Sequence, residues 1–212
     1  MKISIVYDNT VFKKNLKSDW GFSCFVELEE NPNILFDTGK NPNILMDNLK
    51  KLNIKAADID EIFISHSHHD HTGGLAKLLQ LNNELKIYIP KSFNFSSENE
   101  VIRVTNPIKL HENIYTTGEI NNIEQSLIIK TEKGLVIISG CAHSKVENII
   151  TVAKKFGVPK YLIGGLHGFR KYKLLKNFDL ICPTHCTKHI KEIKHKYPGK
   201  YLQGGAGRVI KI

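Results

Sequence analysis

Residues 65–74 read Ser65-His66-Ser67-His68-His69-Asp70-His71-Thr72-Gly73-Gly74 and bring four potential metal ligands, His66, His68, Asp70 and His71, within six residues. A short apolar segment, residues 61–65, runs directly into this cluster and is predicted to be a strand. A strand end followed by a tight turn can aim such side chains at one point, and zinc, iron and manganese accept imidazole and carboxylate ligands. Burying so many polar groups without a metal or equivalent partners would be costly. The stretch therefore predicts the first half of a metal site, in preference to a solvent-exposed, histidine-rich loop.

Three later histidines repeat this arrangement, because each follows a predicted apolar strand. The segments at residues 136–142, 161–166 and 180–184 lead to His143, His167 and His185, respectively. Where strands and helices alternate, ligands gather at the strand ends on one edge of a sheet. We therefore expect these histidines to lie near the first cluster.

The hydrophobic pattern predicts a strand-rich first half and a second half in which helices alternate with strands. Strands are predicted at residues 2–7, 22–28, 33–36, 61–65, 86–89, 101–104, 114–116, 127–130, 135–139, 161–163, 180–182 and 208–211. Helices are predicted at residues 43–52, 75–79, 145–156, 169–177 and 187–196. This order suits two sheets flanked by helices.

The composition is that of an ordinary globular protein. The chain has 212 residues, of which 41% are hydrophobic and 24% charged, and this length fits one domain spanning residues 1–212. No apolar run is long enough to span a bilayer, and the N-terminal segment looks like a strand and not like a signal peptide. We therefore expect a cytoplasmic protein without a membrane partner.

The net charge of +9 comes almost wholly from 27 lysines, against only 3 arginines. Proteins that read nucleic acid usually use arginine freely, because its planar guanidinium group binds bidentately. The lysines are scattered along the chain, which favours a solvated, lysine-rich surface. The alternative is a general attraction for anionic partners, either phosphorylated small molecules or nucleic acid.

The chain has four cysteines, Cys24, Cys141, Cys182 and Cys186. Without a secretion signal, free thiols are favoured over disulfides. Cys182 and Cys186 flank His185, but a single pair of this spacing is a weak signal for a structural zinc site.

The histidine cluster and the turn Leu35-Phe36-Asp37-Thr38-Gly39 together resemble the metallo-β-lactamase superfamily over essentially the whole chain. The resemblance implies an α/β fold, a four-layer αββα sandwich with two mixed sheets and a metal site at one edge. It implies two divalent transition metal ions, with zinc expected first and iron or manganese also acceptable. It implies that one metal is held by His66, His68 and His143. It implies that the other is held by Asp70, His71 and His185, and that Asp37 orients the histidine loop.

One departure from the superfamily pattern concerns the aspartate that usually bridges both metals from a strand end. Between His143 and His185 the only acids are Glu147 and Asp179, and neither lies at the carboxyl end of a predicted strand. The strand-end position is occupied by His167. A neutral imidazole cannot bridge two metals with two oxygens, so His167 is a metal ligand, an acid or substrate contact, or a structural residue.

A narrower resemblance links the chain to one branch of the superfamily. It is carried by Asp8-Asn9, residues 19–23, Gly140-Cys141-Ala142-His143, residues 164–167 and residues 183–187. The branch includes the methanogen 7,8-dihydropterin-6-methyl-4-(β-D-ribofuranosyl)aminobenzene 5′-phosphate synthases, which release pyrophosphate. The same branch also holds many uncharacterised hydrolase-like proteins.

These observations favour a metal-dependent hydrolase, or a related transferase, acting on a phosphorylated and possibly pterin-related small molecule. Asp70 and His167 are the catalytic candidates, and Arg170 and Lys188 are candidate phosphate contacts or simply surface cations. A nuclease or phosphodiesterase is an alternative, but 212 residues leave little room for the added domain that nucleic-acid enzymes of the superfamily tend to carry. The remaining alternative is a non-catalytic metal-binding sensor.

Overall fold

The apolar segments of the chain form thirteen strands in the computed structural model, which describes residues 1–212. They are β1 (Lys2–Tyr7), β2 (Ser23–Glu27), β3 (Ile34–Phe36), β4 (Glu61–Phe63), β5 (Lys86–Pro90), β6 (Val101–Val104), β7 (Ile108–His111), β8 (Ile114–Thr116), β9 (Leu127–Thr131), β10 (Gly134–Ser139), β11 (Pro159–Gly165), β12 (Leu180–Thr184) and β13 (Val209–Lys211). One sheet has the order β13-β1-β2-β3-β4-β5-β6, and the other has the order β12-β11-β10-β9-β8-β7. Both sheets mix parallel and antiparallel pairs.

Five α-helices and two 3-10 helices connect the strands. The α-helices are α1 (Pro42–Lys51), α2 (His69–Thr72), α3 (Leu75–Leu81), α4 (Val146–Ala153) and α5 (Ile190–Lys196), and the 3-10 helices are Ala56–Asp58 and Tyr172–Asn177. Helix α1 begins where the Asn41 side chain accepts hydrogen bonds from two backbone amides and proline occupies the first turn. No helix in the structure combines the length and the apolar character needed to cross a membrane.

Three hydrophobic clusters define four layers. A central cluster of 18 buried residues, including Phe36, Phe63 and Ile138, lies between the two sheets. A second cluster packs α1 and α3 against the outer face of the first sheet. A third packs α4 and α5 against the outer face of the second sheet. Because strands such as β10 are covered on both faces, their sequences are continuous apolar runs without alternation. The predicted four-layer αββα sandwich with two mixed sheets is confirmed.

The direction of the parallel strands brings the functional candidates together. Strands β3 and β4 run parallel in the first sheet, and β10, β11 and β12 run parallel in the second. Asp37 follows β3 directly, and His66 follows β4 by three residues. The chain leaves β10, β11 and β12 shortly before His143, His167 and His185, respectively. One edge of the sandwich therefore carries all of these side chains.

Three predicted helices are shorter than the sequence pattern suggests. The helix predicted at 145–156 covers only Val146–Ala153. Residues 169–177 are not one α-helix, since only Tyr172–Asn177 is helical and it is a 3-10 helix. Leu166 and Phe169 are buried in the third cluster, and the helical segment begins only after them. The predicted helix at 187–196 begins only at Ile190, because Thr187 holds the end of β12. Its hydroxyl donates to the Thr184 carbonyl and accepts from the Leu166 amide.

Candidate metal centre

The first group of donor atoms consists of His66, His68 and His143. Their ligating atoms all lie within 4.8 Å of one another. His66 Nε2 is 3.1 Å from His68 Nδ1. His143 Nε2 is buried and has no hydrogen-bond partner. A buried ring nitrogen without a partner is costly in a protein interior, and a metal ion at this point would remove that cost.

The second group consists of Asp70, His71 and His185, whose donor atoms also lie within 4.8 Å of one another. Asp70 Oδ2 is 3.2 Å from His185 Nε2 and 3.7 Å from His71 Nε2. The two Nε2 atoms of His71 and His185 are 3.2 Å apart. Ligands about 2.0–2.1 Å from a tetrahedral ion are about 3.3 Å from each other, so this spacing suits a shared cation.

Hydrogen bonds fix which nitrogen of three rings faces the centre. Ser65 Oγ is 2.8 Å from His66 Nδ1, Asp37 Oδ2 is 2.7 Å from His71 Nδ1, and Asn9 Oδ1 is 2.9 Å from His185 Nδ1. When each Nδ1–H donates to its oxygen, each Nε2 carries a free lone pair directed at the centre. The tautomers are therefore those that a metal requires.

Asp37 is the hub of this network. It is fully buried and accepts from the Ser65 amide and the Ser65 hydroxyl at 2.7 Å each, in addition to His71. One carboxylate thus connects the residue before His66 to the ring of His71. The structure brings Asp37 to the position expected of a residue that orients the histidine loop.

Burial keeps three histidines of the centre, His66, His71 and His143, neutral. Loss of solvent lowers the pKa of His66 and of His71 well below the usual range, and neighbouring histidines lower it further. Burial lowers the pKa of His143 to about 4. A neutral imidazole is the form that binds a metal ion. The donor set therefore fits two divalent transition metal ions.

His167 lies beside the centre but outside both donor groups. Its ring centroid is 5.1 Å from that of His143, and no set of converging donor atoms includes it. It is half-buried, and its backbone has a positive φ of 45°. Burial, together with the charge of Lys188, lowers the pKa of His167. Of the roles considered from the sequence, this geometry favours a contact to substrate over a metal ligand.

The two candidate phosphate contacts occupy different places. Arg170 lines a cavity of about 380 Å³ that His143 and His167 also line. Lys188 is exposed outside that cavity, and its backbone amide donates to the His167 carbonyl. The structure thus places Arg170 in the cavity beside His143 and His167 and leaves Lys188 outside it.

Sequence reasoning missed three residues at this edge. Asn9 orients His185, Trp20 packs edge-on against the His185 ring at 5.1 Å, and Cys141 lies 3.2 Å from His71 Nε2. The sequence features that could have indicated Asn9 and Cys141 are the Asp8-Asn9 pair after the first strand and the Gly140-Cys141 pair after β10. The considered pair of Cys182 and Cys186 is not brought together as a zinc site, because Cys182 faces the central core.

Comparisons with known proteins show the family and the fold of the chain. The sequence model of the metallo-beta-lactamase superfamily matches residues 21–176, well over half of the chain. A 7,8-dihydropterin-6-methyl-4-(beta-D-ribofuranosyl)-aminobenzene-5'-phosphate synthase from Methanocaldococcus jannaschii is 29% identical, with 92% of this chain and 90% of that protein aligned.

Two solved structures share the architecture. A metal-dependent hydrolase of the β-lactamase superfamily superposes with a TM-score of 0.84 at 24% identity, covering 100% of this chain and 99% of that one. A metallo-β-lactamase fold protein from Bacillus subtilis gives a TM-score of 0.71 at 14% identity, covering 99% and 98%. At these identities the likeness demonstrates the fold.

Proposed function

The chain belongs to the metallo-β-lactamase superfamily, and from that premise we propose that it is a metal-dependent enzyme acting on a phosphorylated small molecule, as a hydrolase or a related transferase. The observation that carries the proposal is the convergence of two complete donor groups at one edge of the sandwich. A sensor that had lost its chemistry would not need both groups intact. The relative named as a synthase also favours an enzyme.

In this proposal His66, His68 and His143 hold one divalent ion and Asp70, His71 and His185 hold the other. When bound, two such ions would lower the pKa of a water molecule to about 7 and would polarise a substrate oxygen. Zinc is the first expectation, and the nitrogen and oxygen donors accept iron or manganese as well. Ser65, Asp37 and Asn9 hold the rings in the orientation that this requires.

The cavity beside the first donor group supports an anionic substrate. Besides His143 and His167 it is lined by three cations, Lys145, Arg170 and Lys171. Lys171 is paired with Glu147 at 2.8 Å, whereas Lys145 and Arg170 have no carboxylate within ion-pair distance. Two unpaired cations at the mouth of a metal centre favour a phosphoryl group by direct charge attraction.

The chain's own residues then have distinct roles. Arg170 and Lys145 bind and orient the phosphoryl oxygens, and Lys188 adds positive charge at the rim. His167, neutral at physiological pH, accepts or returns a proton at the substrate through its imidazole nitrogen. The Asp70 carboxylate, which lies against His185 and His71, orients the attacking water.

A transferase acting on a pterin-related diphosphate is the second candidate. It is favoured by the 29% identity to the synthase over nearly the full length of both chains. The same cations would then hold the departing pyrophosphate while the second substrate attacks carbon. The two candidates differ in whether product forms without a second organic substrate.

The test is an activity screen of the zinc-loaded protein on bis-para-nitrophenyl phosphate, small phosphomonoesters and organic diphosphates. We expect turnover that a chelator abolishes and added zinc restores, with no cleavage of single-stranded DNA or RNA. His68→Ala is the inactive control. Pyrophosphate release that requires an aromatic amine would select the transferase. Turnover only on nucleic acid, or none on any phosphorylated compound with both metals bound, would contradict the proposal.

A further inference from the structure

We propose that Cys141 is an additional metal ligand shared by the two donor groups. The inference rests on the metal centre of the proposed function and adds one anionic donor to it. Cys186, the neighbouring thiol, is proposed to hold the backbone of Cys141 through a hydrogen bond to its carbonyl oxygen and not to bind a metal.

The position of Cys141 is the first argument. It lies two residues beyond the end of β10 and is 3% exposed. Its thiol belongs to one converging set with His66 and His71, and to another with His185 and Cys186, with all donor atoms of each set within 4.8 Å. Cys141 is thus near a ligand of the first metal and near two ligands of the second.

The contact with His71 is the second argument. Cys141 Sγ is 3.2 Å from His71 Nε2, and His71 Nδ1 is already committed to Asp37. His71 Nε2 is thus the nitrogen left for a metal, and the Cys141 sulfur lies beside it. A metal ion held by Nε2 would be within reach of this sulfur, which would bind it with loss of the thiol proton to solvent and no change of oxidation state.

The end of β11 leaves no room for a carboxylate side chain at Gly165. The strand finishes in Gly164-Gly165, and a Cβ on Gly165 would stand 2.2 Å from the Gly140 carbonyl oxygen and 2.8 Å from Cys186 Sγ. No side chain fits there. Among the converging donors, only Asp70 and the two cysteines can carry negative charge. Cys141 is the better placed cysteine, since its sulfur converges with His66, His71 and His185, whereas Cys186 converges only with Cys141 and His185.

A thiolate in the centre would change its metal preference. Sulfur is a soft donor that favours zinc, whereas oxygen donors suit manganese. A protein in which Cys141 ligates a metal is therefore expected to retain zinc over manganese. A carboxylate at the same position would weaken that selectivity.

The direct test is the absorption spectrum of the cobalt-substituted full-length protein, because thiolate-to-cobalt charge transfer gives an intense near-ultraviolet band that nitrogen and oxygen ligands do not. We expect the band in the wild type and in Cys186→Ser, and its loss in Cys141→Ser. We also expect Cys141→Ser to release metal to a chelator about 10–100-fold faster. Cys141→Asp should keep its metal, lack the band and accept manganese more readily.

The wild-type spectrum alone shows whether a thiolate binds the metal, even if a variant folds poorly. Cobalt bound without the band would overturn the role of Cys141 and leave the proposed function standing. A band that survives in Cys141→Ser and disappears in Cys186→Ser would assign the ligand to the other thiol and also overturn it. A folded protein that binds no cobalt at all would overturn both the inference and the proposed function.

Discussion

Replacing Asp37 by asparagine should weaken metal binding at the second site, although it preserves the shape and size of the side chain. Asp37 accepts three hydrogen bonds at 2.7 Å, from the Ser65 amide, the Ser65 hydroxyl and His71 Nδ1. An asparagine has only one oxygen for these three donors. If its amide nitrogen faces His71, the ring must accept at Nδ1 and carry its proton on Nε2, where the metal would bind. If its amide nitrogen faces Ser65, two donors oppose each other in a buried site.

Either orientation has a cost that can be estimated. A buried donor left without an acceptor costs about 1–3 kcal/mol, and loss of an orienting hydrogen bond weakens metal affinity about 10–100-fold. We therefore expect Asp37→Asn to weaken binding of the second zinc ion about 10–100-fold and to leave the first nearly unchanged. No donor of the first group contacts Asp37 directly. His66 is linked to Asp37 only through the Ser65 hydroxyl.

Competition with a chromogenic chelator measures the two affinities, and nitrogen-15 NMR reports the tautomer of His71. The matched control is Asp47→Asn, because Asp47 is a carboxylate on α1 paired only with Lys17 and Lys51. The control should bind both metals as the wild type does. Asp37→Asn with wild-type affinity for both ions and an unchanged His71 tautomer would refute the reasoning.

Three further predictions concern other parts of the account. His68 is exposed, so His68→Ala should abolish chelator-sensitive activity while changing the free energy of unfolding of the metal-free protein by less than about 0.5 kcal/mol, measured by urea titration. Arg170→Ala should raise KM for a phosphoester about tenfold with little change in kcat, and Lys171→Ala, which removes a paired cation, should have a smaller effect. Burial raises the pKa of Asp8 to about 6 from 3.8, so its contribution to the stability of the metal-free protein is present below pH 3.8 and is lost as the pH rises through 6. Relative to Asp8→Asn, the wild type should therefore lose about 3 kcal/mol of unfolding free energy between pH 3.5 and pH 7. A difference that does not change with pH would show that the pKa of Asp8 is not raised.

The parts of the site that are close in sequence were predictable. The spacing His66-x-His68-x-Asp70-His71 follows one strand, so its four donors had to emerge at one edge. The parallel strands before His143 and His185 had to end at the same edge, because parallel neighbours share a direction. Local pattern and the geometry of parallel sheets therefore predicted that these donors meet at one edge, and the resemblance to the superfamily implied how they divide into two groups.

The supporting contacts were not predictable, because they join distant parts of the chain. Asn9 Oδ1 holds His185 Nδ1 across 176 residues. Cys141 meets His71 across 70 residues. Neither residue has a spacing that indicates its partner, and the partner depends on how the sheets pack. The sequence marked Asp8-Asn9 and Gly140-Cys141 as part of the narrower resemblance but gave no partner for Asn9 or Cys141.

The cysteines illustrate the same limit. Cys182 and Cys186 are close in sequence and suggested a pair, but the alternation of β12 directs Cys182 into the core. Cys186, beyond the strand end, approaches Cys141 from a different strand. The weak zinc-site signal of this pair is thus not realised, because facing direction, and not distance along the chain, decides contact in a sheet.

The central claim is that this edge of the sandwich holds two metal ions in two separate donor groups. The most direct measurement is the zinc content per folded chain after saturation and removal of free metal, for the wild type, His68→Ala and His185→Ala. We predict two ions in the wild type and one in each variant, since each substitution empties one group. A wild type that holds no more than one ion, or variants that both retain two, would contradict the account.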